Sequence, residues 1–278
     1  MSLTLVTGSS GNVGGPLLDA LRAHGAAAIG AHQTATPSDD QCRLLDFLQP
    51  STFPTALEGV DRVFLMRPPP ISDTKRYIRP FITAMSNAHV EHVVFLSLMG
   101  VNRVMPHWQI EQDLRESGLG WTMLRPAFFA QNLGAAYLTD IRDHDRIRLA
   151  SGNGRTSFID TRDIADVAAL VLASPPEHRG KAYTLTGPQA IGYHEVASRL
   201  SASLARPICY EPIGLLRYRR ELLAAGSPPD YVRVQLLINI IAKLGLAAKV
   251  NNELPRLLHR PSRTLQTYIA DHRDLFSR

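Results

Sequence analysis

Cysteine is scarce: Cys42 and Cys209 are the only two in 278 residues. Two thiols cannot build a disulfide framework or a four-cysteine zinc site, which points to a reducing, cytoplasmic setting with no structural metal. No apolar run approaches the ~20 residues that span a bilayer. The start, Met1 to Leu5, lacks the basic region and long apolar stretch of a secretory leader. No motif recurs at a period of 20–50 residues, so solenoids are excluded. A Lys/Arg run is also missing, although the net charge is +5. Residues 1–140 carry 10 basic and 12 acidic side chains, and residues 141–278 carry 20 and 13. The excess is therefore spread over the second half as a solvated surface, and neither a nucleic-acid nor a membrane partner is expected.

What is present alternates between two periods. Leu3–Thr7 is a short apolar run that reads as a buried parallel strand. Asn12–His24 follows as a helix with Val13, Leu17, Leu18 and Leu21 on one face and Gly25 as its stop. Strands are expected at 26–31, 43–46, 61–66, 92–97 and 120–124. Helices are expected at 52–57, 73–88 and 107–117, and Pro68-Pro69-Pro70 interrupts both patterns. Strand, helix, strand at this spacing predicts an α/β fold, a Rossmann-type doubly wound parallel sheet.

Beyond residue 125 the rhythm loosens. Helices are predicted over 128–141, 163–173, 193–204 and most of 213–244, with strands at 156–160 and 182–185. The expectation is a dinucleotide-binding domain over 1–150 and a smaller, mainly helical substrate-binding lobe over 151–278, with segments exchanged between them. Leu236 to Ile241 is apolar nearly all round, which marks a buried helix or a dimer face, so the chain is a monomer or a homodimer.

The strongest chemical signal is Thr7-Gly8-Ser9-Ser10-Gly11-Asn12-Val13-Gly14 between the first strand and the first helix. Gly8 permits the tight turn, Gly11 the approach of a pyrophosphate, and Gly14 close packing of helix on strand. The free N–H groups at the helix start then face the anion, which makes Gly8, Ser10, Gly11, Asn12, Val13 and Gly14 cofactor-binding residues. The second strand ends Gly30-Ala31-His32-Gln33-Thr34, with neither the carboxylate of an NAD site nor the Arg of an NADP site. His32 and Gln33 are hydrogen-bond donors there, which favours NADP(H) over NAD(H). Arg67, after the fourth strand, stands where it meets a phosphate, an anionic substrate or only solvent. Ser97 closes the fifth strand at the ligand-binding edge, as an active-site hydroxyl or a capping one. Asp160 and Asp163 resemble paired acids, but Asp163 reads better as the cap of the next helix.

Longer segments carry a resemblance. The T-G-S-S-G-N-V-G start, Val93–Ser97, Ser117–Asn132, Phe158–Ala165 and His259–Leu265 together resemble the NmrA-like family of atypical short-chain dehydrogenases/reductases, of the NAD(P)H:quinone oxidoreductase type 2 kind. The resemblance covers nearly the whole chain. It implies an NAD(P)H-dependent reductase acting by hydride transfer on a small apolar or aromatic carbonyl or quinone-like compound. The same family includes redox-sensing regulators that bind NADP without turnover, and a non-redox cyclase or isomerase on this scaffold is a third reading. The ordinary Tyr-x-x-x-Lys pair is absent, since none of the eight tyrosines has Lys four residues later. By resemblance, His107 faces the nicotinamide as a proton donor near the usual pKa of ~6.5, and Ser97 polarises the substrate oxygen. Ile110, Glu111 and Leu114 share the sheet-facing side with His107. The loop from Pro126 borders the cofactor, and Trp108, Phe128, Phe129, Asn132 and Tyr137 wall the substrate pocket.

Overall fold

The computed structural model describes residues 2–34 and 42–278. The chain forms two compact units, the first made of residues 1–126, 161–185 and 253–260 and the second of 127–160, 186–252 and 261–278. The boundary expected at residue 150 thus falls inside the second unit.

In the first unit, numbered along the whole chain, the strands are β1 (Leu3–Thr7), β2 (Ala27–His32), β3 (Cys42–Leu44), β4 (Arg62–Met66), β5 (His92–Leu96), β6 (Gly120–Pro126) and β10 (Lys181–Leu185). They form one sheet in the order β10-β6-β5-β4-β1-β2-β3, parallel throughout. Its helices are α1 (Gly14–Ala23), α2 (Phe53–Leu57), α3 (Thr74–Tyr77), α4 (Arg79–Asn87), α5 (Pro106–Glu116), α7 (Thr161–Ala173), α8 (Pro175–His178) and α12 (Glu253–Leu258). The central strands read as unbroken apolar runs because both faces are covered; Leu5, Val63, Leu65, Val93 and Phe95 are fully buried. The single helix expected over 73–88 is two: Pro80 has no N–H to give the Arg76 carbonyl, so the ladder is interrupted and α4 restarts with Pro80 in its first turn.

The second unit adds β7 (Phe128–Phe129), β8 (Arg146–Leu149), β9 (Arg155–Ile159), β11 (Ala190–Gly192) and β12 (Cys209–Pro212). They make a three-stranded sheet, β11-β9-β7, and a two-stranded one, β12-β8. Its helices are α6 (Leu138–His144), α9 (Tyr193–Leu204), α10 (Leu215–Ala224), α11 (Pro229–Lys243), α13 (Leu265–Asp271) and α14 (Arg273–Phe276). The long helix expected from Phe128 is corrected here. Phe128 and Phe129 pair with Phe158 and Ile159 as strand, a 3₁₀ turn follows at Ala130–Asn132, and helix begins only at Leu138. Gly134 is one cause, with Pro126 just upstream holding the entry extended. No helix among the described residues is long and apolar enough to cross a membrane.

Candidate functional site

Strand order reverses between β1 and β4, so the loops leaving these strands open a crevice at the carboxyl edge of the sheet, where doubly wound folds hold ligands. Two glycines decide the shape of the first loop. Gly8 has φ +63°, and a Cβ there would sit 2.1 Å from the Met66 methyl. At Gly14 a Cβ would lie 2.2 Å from the Gly8 carbonyl oxygen, so any other residue would push α1 off β1. Gly11 N–H closes the turn on the Gly8 carbonyl at 2.9 Å, and Thr7 Oγ1 accepts from Met66 N–H at 2.7 Å. Ser10 and Asn12 stand exposed at the lip, whereas Val13 is buried as the residue before α1. The first turn of α1 has no acidic side chain. This cradle suits a pyrophosphate: tight, rich in glycine and set on the positive end of a helix.

At the end of β2, His32 is held rather than free. Its Nε2 lies 2.9 Å from Ser9 Oγ, and Ser9 also reaches the Ala31 carbonyl at 3.3 Å. With the hydroxyl donating to that carbonyl, Nε2 carries the proton and Nδ1 remains to meet a ligand. Ser9 escaped notice in the sequence; its signal was Gly30 opposite, where a Cβ would come within 2.7 Å of its oxygen. Gln33 is engaged differently from expectation, donating to Asp46 at 3.3 Å. Asp46 is itself buried and also takes the Leu48 N–H and the Gln49 amide.

Arg67 folds back on its own loop. Its Nη1 donates to the carbonyls of Pro68, Pro69 and Ile71 at 3.1, 3.0 and 2.5 Å. A loop containing Pro68, Pro69 and Pro70 has few N–H groups, and this guanidinium satisfies the carbonyls left over. Burial lowers the pKa of Arg67.

Ser97 and Glu111 form the centre of the edge. Both are buried, and Ser97 Oγ donates to Glu111 Oε1 at 2.7 Å. Arg125 closes on the same carboxylate with two bonds of 2.9 and 2.5 Å, and Arg115 adds one of 2.9 Å. The Arg125 and Ser97 bonds outweigh burial and leave the Glu111 carboxyl below its ordinary pKa. The hydroxyl proton expected to polarise a substrate thus points into the protein. Sequence reasoning had placed Glu111 beside His107 without its partners; the hint to Arg125 was a charge inside a strand.

His107 lies one helical turn before Glu111, partly buried, its ring 6.1 Å from that of Phe95. Burial, then the Arg67 charge, push its pKa down to about 4, against a smaller opposite pull from Glu111. The expected proton donor near 6.5 is therefore a neutral imidazole at physiological pH. Trp108 is partly buried on the same helix, and Pro126 is buried at the end of β6, its carbonyl accepting from Met99 N–H at 2.9 Å.

The remaining aromatic residues belong to the second unit. Phe128 stacks on Tyr137 at 6.5 Å and meets Phe158 edge-on at 5.7 Å. Tyr137 is buried in that unit's core, burial raising its pKa well above the ordinary value. Phe129 and Asn132 are partly buried, and the Asn132 carbonyl takes the Ala135 and Tyr137 N–H groups. Asp163 is buried and bonded to Arg260 at 2.8 Å, an ion pair shared with Asp166 at 2.5 Å that ties 253–260 to the first unit. Asp160 accepts from Gln131 at 3.0 Å.

The profile of a family described as NAD(P)H-binding matches residues 8–175. An NAD(P)H azoreductase of Xenophilus azovorans is 35% identical over 237 residues, 83% of this chain and 82% of the relative. Among solved structures, an NADPH-dependent quinone oxidoreductase of Escherichia coli complexed with NADPH superposes with TM-score 0.85 at 21% identity, covering 98% of this chain and 99% of that one. A Citrobacter triphenylmethane reductase complexed with NADP(H) gives 0.83 at 22%, covering 97% and 100%.

Proposed function

This chain belongs to the NAD(P)H-binding family and is an NAD(P)H-dependent oxidoreductase of NmrA-like type, and from that premise we propose that it reduces small, electron-poor aromatic acceptors, quinones foremost, preferring NADPH. The observation that carries this reading is the state of the edge around His107. The imidazole there is neutral, the Ser97 proton is directed to Glu111, and Arg125 is neutralised by the same carboxylate. None of these three offers a strong acid at neutral pH. Quinone-like acceptors suit such an edge, because their reduced oxygen is a stabilised anion that needs only a hydrogen bond from a neutral N–H and can take its proton from water. An unactivated ketone would need an acid at the moment of reduction.

The bound nicotinamide supplies the hydride, and the chain supplies the rest. The loop Gly8–Val13 and the start of α1 hold the pyrophosphate, with the side chains of Ser10 and Asn12 beside it. His32 faces the adenosine end beside Ser9, and no carboxylate lies within 30–34 to repel a 2′-phosphate. His107, set over Phe95, gives the acceptor a neutral donor, and Ser97 acts through Glu111 as a positioning residue. Trp108, on the same helix as His107, shapes the acceptor side of the first unit; Phe128, Phe129 and Asn132 are the second unit's own candidates for contact with an aromatic compound, and Tyr137 supports Phe128 from the core. The cellular setting is cytoplasmic.

The test is a substrate panel at pH 7 with NADPH and NADH. Oxidation is expected with benzoquinones and naphthoquinones, at a higher kcat/KM with NADPH, and not with cyclohexanone or simple aldehydes. Calorimetry showing that neither nucleotide binds overturns the reading, as does turnover of plain ketones with no quinone activity.

A further inference from the structure

Arg67 is a cation held in place without being neutralised. It follows β4 directly, and Met66 is level with Leu96 on β5, so Arg67 stands beside Ser97 at the carboxyl edge of the sheet. The turn after it fixes the side chain, because Nη1 is shared among the carbonyls of Pro68, Pro69 and Ile71. Carbonyl dipoles orient a guanidinium but do not cancel its charge. The other arginines of this edge differ: Arg125 and Arg115 close on Glu111, and Arg79 closes on Asp113. Among the described residues no carboxylate pairs with Arg67. Its Nε is buried with no acceptor, whereas Nη2 makes no hydrogen bond among the described residues and keeps its access to solvent. The charge is felt at His107, where it joins burial in pushing the pKa down. Guanidinium and imidazole thus share one edge, a full positive charge beside a neutral ring.

We propose that Arg67 is the anion-binding group of the acceptor site, holding the negative oxygen of an aromatic acceptor beside His107. The inference rests on the quinone reading above and adds the charge that reading leaves out. A quinone that has accepted one hydride is a monoanion, one proton short of the hydroquinone, with NADP+ as the other product; water supplies the missing proton. A fixed cation stabilises such an anion strongly, because the turn has oriented it in advance and no counter-ion has to leave. The neutral imidazole adds a hydrogen bond without adding a charge. The phosphates of the nucleotide are the other anions at this edge. The glycine loop leaving β1, on the opposite flank of β4 from β5, is already shaped for them.

The test uses the full chain saturated with NADP+ and para-nitrophenol as the probe, whose anion is followed by its visible absorbance. On wild type the ionisation midpoint of the bound probe is expected to fall by about 1 pH unit. Arg67→Gln should return it to the free value, and Arg67→Lys should keep part of the fall. Arg103→Gln, at an exposed arginine of the loop after β5, should leave it unchanged. In turnover, Arg67→Gln should lower kcat for benzoquinones at least tenfold, with NADPH affinity within twofold of wild type. That loss should grow across substituted quinones as the reduced oxygen becomes more basic. Equal losses for all acceptors mean that the loop has only moved, and overturn the proposal. So does a probe unshifted on wild type. An Arg67→Gln chain that loses NADPH affinity tenfold with the probe still shifted assigns the guanidinium to a nucleotide phosphate, and also overturns it. A wild type that shifts the probe through Arg67 but reduces no quinone supports the anion site and overturns only the quinone reading.

Discussion

Helix α5 turns Glu111 and Asp113 inward beside Ile110 and Leu114, whereas α11 turns Gln235 and Asn239 inward and leaves Val234, Leu237 and Leu244 outside. Both helices bury polar groups where an amphipathic pattern expects apolar ones, yet the groups differ in kind. The α5 carboxylates are charged and carry guanidinium partners from other elements, Arg125 on β6 and Arg79 on α4. The α11 amides are neutral and bond chiefly to nearby backbone and hydroxyl groups. Buried charges are costly to leave unpaired and lock their helix in place, which is what a reacting edge needs. Neutral amides fix the roll of a helix at lower energy, and in α11 that roll determines which surface faces outward. The two polar interiors thus serve different ends, one holding His107 at the sheet edge and the other leaving apolar side chains outside.

The most damaging break of this comparison is at Glu111. Glu111→Ala leaves Arg125 and Arg115 without their anion and Ser97 without its acceptor. Their guanidiniums are about a third exposed, so the loss sits at the low end of the range for breaking a buried pair, about 3 kcal/mol by urea unfolding. Glu111→Gln keeps the Ser97 bond and part of the Arg125 fork, and should recover about half of that. Equal stability of the alanine variant and wild type would show that α5 is not held by charge.

The pH response of His107 comes next. Its folded pKa of about 4 lies below the unfolded ~6.5, so the unfolded chain binds the proton first as pH falls. The stability that goes with the neutral ring is complete above pH 6.5 and is lost as pH drops towards 4. Because the ring is partly exposed, the effect is about 2 kcal/mol. His107→Asn should flatten that slope in urea midpoints measured from pH 7 to 4.5. The same shift means that the pH profile of NAD(P)H oxidation shows no break from this residue between pH 5 and 8, and a His107-dependent inflection near 6.5 would contradict it.

How far the sequence foretold this contrast differs between the units. In the first, strand runs, glycine spacing and helix stops are local signals, and the sheet from β1 to β6 was legible from them. Gly8 and Gly14 were legible for the same reason, because a loop this tight admits only glycine at those two offsets. The partners of Glu111 were not, since Arg125 is 14 residues away and only strand β6 brings it back. In the second unit, Phe128 and Phe129 read as helix because their pairing with β9, some 30 residues on, leaves no local period. For α11 the apolar run was evident, but which side faced water depended on Asn239 reaching Ala150, 89 residues earlier.

That long reach sets the third break. Asn239→Leu removes the acceptor of the Ala150 N–H and Ser151 hydroxyl and leaves both buried, an expected loss of about 1–2 kcal/mol. Nucleotide affinity should not change, because the substitution lies outside the first unit. A variant as stable as wild type would mean that α11 is held by its apolar contacts alone.

The smallest effect separates buried charge from merely paired charge on α5 itself. Arg79, 46% exposed at its side chain, donates to Asp113 at 2.7 Å, and that contact raises its pKa. Asp113 retains the Gln109 amide at 2.8 Å if the arginine is removed. Solvent screens an exposed guanidinium, so Arg79→Ala should cost only about 0.5 kcal/mol, and less in 0.5 M salt. If Arg79→Ala instead destabilised the protein as much as Glu111→Ala, α5 would be held by its whole charge pattern, and the distinction between its site-facing carboxylate and its peripheral one would fail. A small, salt-sensitive loss confines the locking charge to Glu111, one turn from His107.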